Sequence, residues 1–395
     1  GNTLNVKTNA TAGNIAHFDK VKFDLNSTIN PANSLLTLNN SSQTTGLKWD
    51  KLEVDTSSLT GAGIKTYEPY RLKLIDNAAG IATTGYTGAK DSITDKFEYI
   101  IDTDSHGANA TQYITLEGYQ YKDNSAATYT ATDGTHTEAW AGRTKVGNKV
   151  ENNKLTVTGG SLTTAAYGGL VENNKVGVTT GDAEKNTIAI SGGTVVHAYG
   201  ADVRTRSGNA TENTADITGG TVTNVYGAVL TAAGATGKIE KSKVNIAGGN
   251  ISDSVYGGQI TDNGATGSIT GSTITLTNGS IGGSVYGGKN EGTGSATGST
   301  LNLYGGSVTG DVYGGNTASG ATTGNTVNLG DGTTNAVTAV TGVIHGGNQN
   351  TVTDNVLNVR TNAQAGNIAH FDKVKFDLNS TVNPANALLT LNNGT

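Results

Sequence analysis

A Tyr-Gly step returns at nearly constant spacing from Asn152 onward, and few folds can accommodate such a step. The copies read "AAYGG" at Tyr167, "HAYGA" at Tyr199, "NVYGA" at Tyr226, "SVYGG" at Tyr256, "SVYGG" at Tyr286 and "DVYGG" at Tyr313, and "VIHGG" puts His345 in the same place. Successive markers lie 32, 27, 30, 30, 27 and 32 residues apart. The apolar residues between them keep a fixed parity: Val244, Ile246, Ile251, Val255; then Ile274, Leu276, Ile281, Val285; then Leu301, Leu303, Val308, Val312. This is the period of a strand with one buried face, and the i, i+3, i+4, i+7 spacing of an amphipathic helix is absent. Thr, Val and Tyr suit strands, while Gly and Asn suit turns.

One copy has too few apolar residues to hold a core alone, so the copies must stack. The expected fold is all-β: a right-handed parallel β-helix, or β-solenoid, of Gly-rich coils, each pairing with the coils above and below at about 4.8 Å. Val255, Val285 and Val312 should point into one column. Tyr256, Tyr286 and Tyr313 should form a ladder on the other side of the same strand, with glycines in positive-φ corners. The ladder is read as a structural stack; a carbohydrate-binding aromatic strip is the second reading. His345 should stack in place of a tyrosine.

Composition agrees with a thin core drawn out along an axis. Hydrophobic residues make up only 34% of the chain and glycine 57 of 395 residues, yet the apolar parity holds over six copies, which a flexible linker would not keep. The net charge of −6 comes without a basic stripe, so no nucleic-acid partner is expected. No apolar run is long enough for a membrane helix. The chain has no cysteine, which suits a cytosolic protein or a bacterial export product; the repetition favours the second.

A longer repeat frames the shorter one. "AGNIAHFDKVKFDLNST" occupies residues 12–28 and returns, letter for letter, at 365–381. The match extends over residues 1–42 and 354–395, with Lys7 against Arg360, Ile29 against Val382 and Ser34 against Ala387. The chain is therefore read as a window on a tandem array, without a native start at residue 1. Four segments follow: 1–42 opens the unit, 43–150 is a heavier decorated β module, 151–353 is the Gly-rich solenoid, and 354–395 opens the next unit. In the module, "AHFDKVKFDL", "LLTLNN", "LKWDKLEVD", "YRLKLIDN", "KFEYIID" and "YITLEGYQY" read as strands. Module and solenoid are expected to form one continuous β-helix. Residues 354–395 should fold as 1–42 does and continue the axis of the last Gly-rich coil. With roughly 25 residues per coil, a unit would hold about 14 coils and rise on the order of 65–70 Å.

"STLNLYGGSVTGDVYGG", followed after the polar loops by "GNIAHFDKVKFDL", "LLTLNN", "LKWDKLEVD" and "YRLKLIDN", resembles the passenger repeats of large bacterial autotransporter adhesins of the Negativicutes and Fusobacteria type. The resemblance covers nearly the whole chain. It implies a β-helical passenger displayed outside the cell, at the bacterial surface, after export across the outer membrane through a barrel domain that this stretch does not contain. The implied partners are neighbouring copies of the same repeat and surface glycans or proteins of host or bacterium.

Sites for chemistry are sparse. "GGNQNTVTDN" and "GDGTTN" brush against calcium-binding repeats without forming a series, and no cofactor is expected. Asp102, Asp104 and His106 read as a solvated turn, with a metal site as the second reading. His17 and His370, at matching positions, read as packed or capping histidines. Asp253 and Asp311 precede Val-Tyr steps, but Asn224 and Ser284 occur in other coils, so no fixed acidic pair for glycan cleavage is visible. The sequons at Asn109 and Asn209 matter only in a eukaryotic secretory route. No nucleophile elbow, phosphate loop or zinc helix motif occurs, so an enzyme is not expected. A structural module of a surface fibre is the leading reading. A β-helical glycan-binding or glycan-degrading protein, such as a phage tailspike, is the alternative. Ice binding fails because the threonines do not form one regular array.

Overall fold

The computed structural model describes residues 1–26, 28–39, 51–55, 65–77, 90–93, 97–104, 113–120, 126–172, 178–348 and 352–393. It divides into two compact units, Gly1–Tyr121 and Lys122–Thr395.

The second unit is a β-solenoid. One coil shows its plan: a short strand Ala296–Thr297, a corner, the strand Thr300–Leu303, a Gly-Gly turn, Ser307–Val308, a bend, Val312–Tyr313 and then Asn316–Thr317. Every strand pairs in parallel with its counterpart one coil away, as in Val285↔Val312 and Leu301↔Val327. One column runs from Ala126–Tyr129 through ten strands to Lys373–Phe376. At about 4.8 Å per step, that column rises roughly 43 Å. The parallel stack thus begins inside the segment assigned by composition to the heavier module. Charge and aromatic content set that stretch apart, but the strands at 126–144 keep the parity that stacking needs.

The alternating residues form the core as expected. Val244, Ile251, Val255, Ile274, Leu276, Val285, Leu301, Leu303 and Val312 are fully buried, and Ile246, Ile281 and Val308 are 1% exposed. Tyr256, Tyr286 and Tyr313 lie half-buried on the opposite side.

An asparagine ladder pins one corner. Asn186 Nδ2 donates to the Val150 carbonyl at 3.0 Å and to Asn213 Oδ1 at 3.1 Å. Its own Oδ1 accepts from Asn153 Nδ2 at 2.9 Å and from the Asn153 amide at 3.2 Å. The ladder resumes at Asn325 and Asn355, with Asp372 as its last acceptor. Between these runs Ser242, Ser272 and Ser299 hold the same place, and their buried hydroxyls have no hydrogen-bond partner among the described residues. Asn186→Ala should therefore cost about 1–3 kcal/mol, because it removes the acceptor shared by the Asn153 amide and side chain and a donor to the Val150 carbonyl, all buried. Ser272→Ala should be close to neutral, since it removes a hydroxyl that bonds to nothing. Paired urea melts of the two variants check this.

The first unit combines three parallel strands, Thr3–Val6, Lys20–Asp24 and Leu52–Asp55, with a six-stranded mixed sheet. In that sheet Ala10–Ala12, Leu36–Leu38 and Tyr70–Asn77 pair in parallel. Tyr113–Gln120, Phe97–Asp104 and Lys90–Ile93 then follow in antiparallel pairing. The six segments read as strands from sequence each contain one.

The two copies of the long repeat fold alike. Thr3↔Lys20 and Ala10↔Leu36 in the first copy become Val356↔Lys373 and Ala363↔Leu389 in the second. Asn9 and Asn362 each bind three carbonyls of the following loop, and His17 and His370 share a left-handed backbone with φ of 59° and 57°. The second copy also continues the column of the last Gly-rich coil, through Thr326↔Val356.

Candidate functional surface: the aromatic ladder

The tyrosines of the Tyr-Gly steps stack face to face. Ring centroids of Tyr167 and Tyr199 are 5.2 Å apart, and those of Tyr199 and Tyr226 are 4.6 Å apart. Tyr226, Tyr256, Tyr286 and Tyr313 continue at 4.8, 5.2 and 5.1 Å with interplanar angles of 3–6°. His345 takes the next rung, 4.4 Å from Tyr313 and 3° from parallel, as its place in the sequence implied. His370 adds one more rung, 5.3 Å from His345, with the two Nδ1 atoms 3.2 Å apart. Trp140 is in register with Tyr167 at the other end. The "AWAG" step of Trp140 copies the "AYGG" step of Tyr167 and signals the shared register, whereas nothing in the sequence around His370 marks it as a rung.

The glycines after the tyrosines are not corner residues, contrary to expectation. Gly227, Gly257, Gly287 and Gly314 lie outside the positive-φ set; the turn glycines Gly220, Gly249, Gly279 and Gly306 supply it. A Cβ on Gly257 would stand 2.4 Å from the Gly287 carbonyl oxygen, and one on Gly287 would stand 2.3 Å from that of Gly314. Close approach of one coil to the next demands glycine there. This lets the ring one residue earlier sit directly over its neighbour.

Each ring between the ends has a neighbour on both faces, so the ladder presents edges and hydroxyls. A sugar ring that binds an aromatic strip needs an open face, and the interior rungs offer none. Burial pushes the hydroxyls of Tyr167, Tyr199, Tyr226 and Tyr256 up from the ordinary tyrosine range. Tyr313 rises to about 12, first through burial and then through Asp311, to which its hydroxyl donates at 3.2 Å. Such groups favour the folded state below the unfolded tyrosine value near pH 10, and that contribution is lost as pH climbs through the folded values. Stability should thus be flat from neutrality to about pH 10 and fall between about pH 10 and 12. Urea midpoints across this range, with tyrosinate absorbance followed in parallel, test the sign.

A buried charge network closes the Trp140 end. Arg143 donates to Glu172 at 2.8 Å and to Glu138 at 2.7 Å, and its guanidinium lies 4.5 Å from the Trp140 ring. Arg204 binds Asp202 at 2.8 Å, Glu172 at 3.3 Å and the Tyr167 hydroxyl at 3.0 Å. Burial pushes the Asp202 carboxyl up against the pull of Arg204. These carboxylates are spent on guanidinium groups, which suits holding coils together and not proton transfer.

Asp311 has a structural task too. It belongs to a column with Asn224, Ser254 and Ser284, in which each side chain accepts the backbone amide of the next coil. Ser254 N reaches Asn224 Oδ1 at 3.0 Å, Ser284 N reaches Ser254 Oγ at 3.2 Å, Asp311 N reaches Ser284 Oγ at 3.1 Å, and Val343 N reaches Asp311 Oδ1 at 2.8 Å. Asp253 stands one residue before this column, since Ser254 precedes Val255, so the two aspartates are not equivalent.

In "GDGTTN", Asp331 caps its own turn: the Thr333 and Thr334 amides donate to it and lower its carboxyl to about 2. Among the described residues no cluster of three or more His, Cys, Asp or Glu side chains could hold a metal ion. His106 and Asn109 lie outside the described residues, as do 349–351 of "GGNQNTVTDN". Asn209 is held between coils, bonding Asp182 and the Lys238 amide. Comparison with protein-family models found no match, and neither curated proteins nor solved structures gave one.

Proposed function

We propose that this chain is a structural repeat module of a surface-displayed bacterial fibre or adhesin, in which stacked coils supply a stiff rod for adhesion or cell-cell contact. One observation carries the reading: the recurrent polar and aromatic side chains are spent on the neighbouring coil. Tyrosine faces, asparagine amides and the acceptors of the 224–311 column all point along the stack. A molecule built this way converts sequence length into reach. Adhesion then resides in loops of the module or in other parts of the array, and glycans or proteins of a neighbouring cell are the targets. Export across an outer membrane would use a barrel domain elsewhere; among the described residues no helix is long and apolar enough to span a membrane.

The test is immunogold microscopy of the source cells with antibody raised against the solenoid, together with a panel of polysaccharides incubated with the purified chain. Label on filaments outside the envelope and intact polysaccharides are expected. Cleavage of any polysaccharide, or label confined to the cell interior, would overturn the reading.

A further inference from the structure

The second copy of the long repeat ends in a bare apolar face, and the first copy shows what fits there. Val374, Phe376, Leu378 and Leu391 are 36%, 53%, 80% and 43% exposed. Their counterparts Val21, Phe23, Leu25 and Leu38 are 0%, 0%, 0% and 1% exposed. Sequence cannot account for the contrast, because "KVKFDL" stands at both places. The cover accounts for it. In the first copy the strand Leu52–Asp55 lies alongside Lys20–Asp24, with Val21↔Leu52 and Phe23↔Val54. Tyr70–Asn77 lies alongside Leu36–Leu38, with Leu36↔Ile75. Leu52, Leu74 and Ile75 are fully buried in the same cluster as Phe23 and Leu25.

Charge marks the same partner. Lys20 pairs with Glu53, and Lys22 pairs with Asp55 at 2.7 Å. Lys373 and Lys375 hold the equivalent places in the second copy, and both are exposed. The edge therefore asks for a strand of alternating leucine or valine and acid, and "LEVD" is that pattern.

We propose that the strands Lys373–Phe376 and Leu389–Leu391 form a docking edge for a further copy of the module held in residues 43–121, supplied in cis by a following unit of the array. Its "LEVD" strand pairs with Lys373–Phe376 so that Val374 meets leucine, Lys375 meets glutamate and Phe376 meets valine. Its "YRLKLIDN" strand pairs with Leu389–Leu391. This rests on the repeat reading of the chain and not on surface display, so either can fail without the other.

The experiment compares the 395-residue chain with one extended after Thr395 by a second copy of residues 43–121. Hydrogen exchange is followed by mass spectrometry over residues 373–378 and 20–25. In the shorter chain the first segment should exchange about 100-fold faster than the second, and in the extended chain the two should agree within about tenfold. Phe376→Asp should leave the thermal midpoint of the shorter chain unchanged. In the extended chain it should lower the midpoint and restore fast exchange. Fast exchange at 373–378 in both chains would overturn the proposal. So would protection already present in the shorter chain and lost on dilution, which would assign the face to a second molecule.

Discussion

Val285→Asp should unfold the coils on both sides of it. Val285 is fully buried, between Val255 and Val312 in the same column. An unpaired carboxylate there has no donor to meet, and the expected cost is about 3–5 kcal/mol. The introduced carboxyl would escape part of that by staying protonated, so its folded pKa is raised. The damage should then be least in acid and grow as pH rises toward neutrality. Circular dichroism melts at pH 4 and pH 7 provide the check. A variant as stable as the parent at pH 7 would mean that Val285 does not face a dry core. Tyr286→Ser, one residue on, should be milder, because that side of the strand is partly wet.

The second large effect is expected at Gly294. A Cβ there would stand 1.6 Å from the Gly267 carbonyl oxygen, and Gly267 in turn has the Gly237 carbonyl at 2.0 Å from its own ideal Cβ position. Backbone stacked this closely cannot yield to one methyl group without prising coils apart. Gly294→Ala should cost about 3 kcal/mol, at the upper end for overpacking. Gly134→Ala is the contrast: nothing lies within 4 Å of its Cβ position, and only its φ of 83° opposes the change. With ψ of −126° Gly134 sits in a region that essentially only glycine adopts, and the cost should be about 1–3 kcal/mol with no crowding involved. Urea denaturation of both variants separates crowding from backbone strain.

What could be read from sequence depended on whether the cause was local. Parity is local, so Val255, Val285 and Val312 could be placed inside and their tyrosines outside. The ladder could be read for the same reason, including His345 as a substitute ring. The reason for Gly257 could not, because glycine signals both a turn and a close approach, and only the neighbouring coil decides between them. The column of Asn224, Ser254, Ser284 and Asp311 was hidden by its chemistry. Four side chains of three kinds do one job, accepting an amide, so no single residue type marks the column. The asparagine ladder was visible in "NTIAI", "NTADI" and "NTVNL" but needed the corner geometry to give the recurring Asn a partner. The antiparallel strands of the first unit show no switch from parallel pairing in their sequences, since alternation looks the same in both.

Because every interior rung of the ladder makes the same two contacts, the natural currency of change in this protein is a whole turn. Excising residues 257–286 would join Tyr256 to Gly287 and recreate the Tyr-Gly-Gly step with every column intact. A deletion of ten residues from the same stretch would leave Tyr286 without its place opposite Tyr256. Length in such a lineage should therefore drift in quanta of 27–32 residues, leaving each remaining layer as well seated as before.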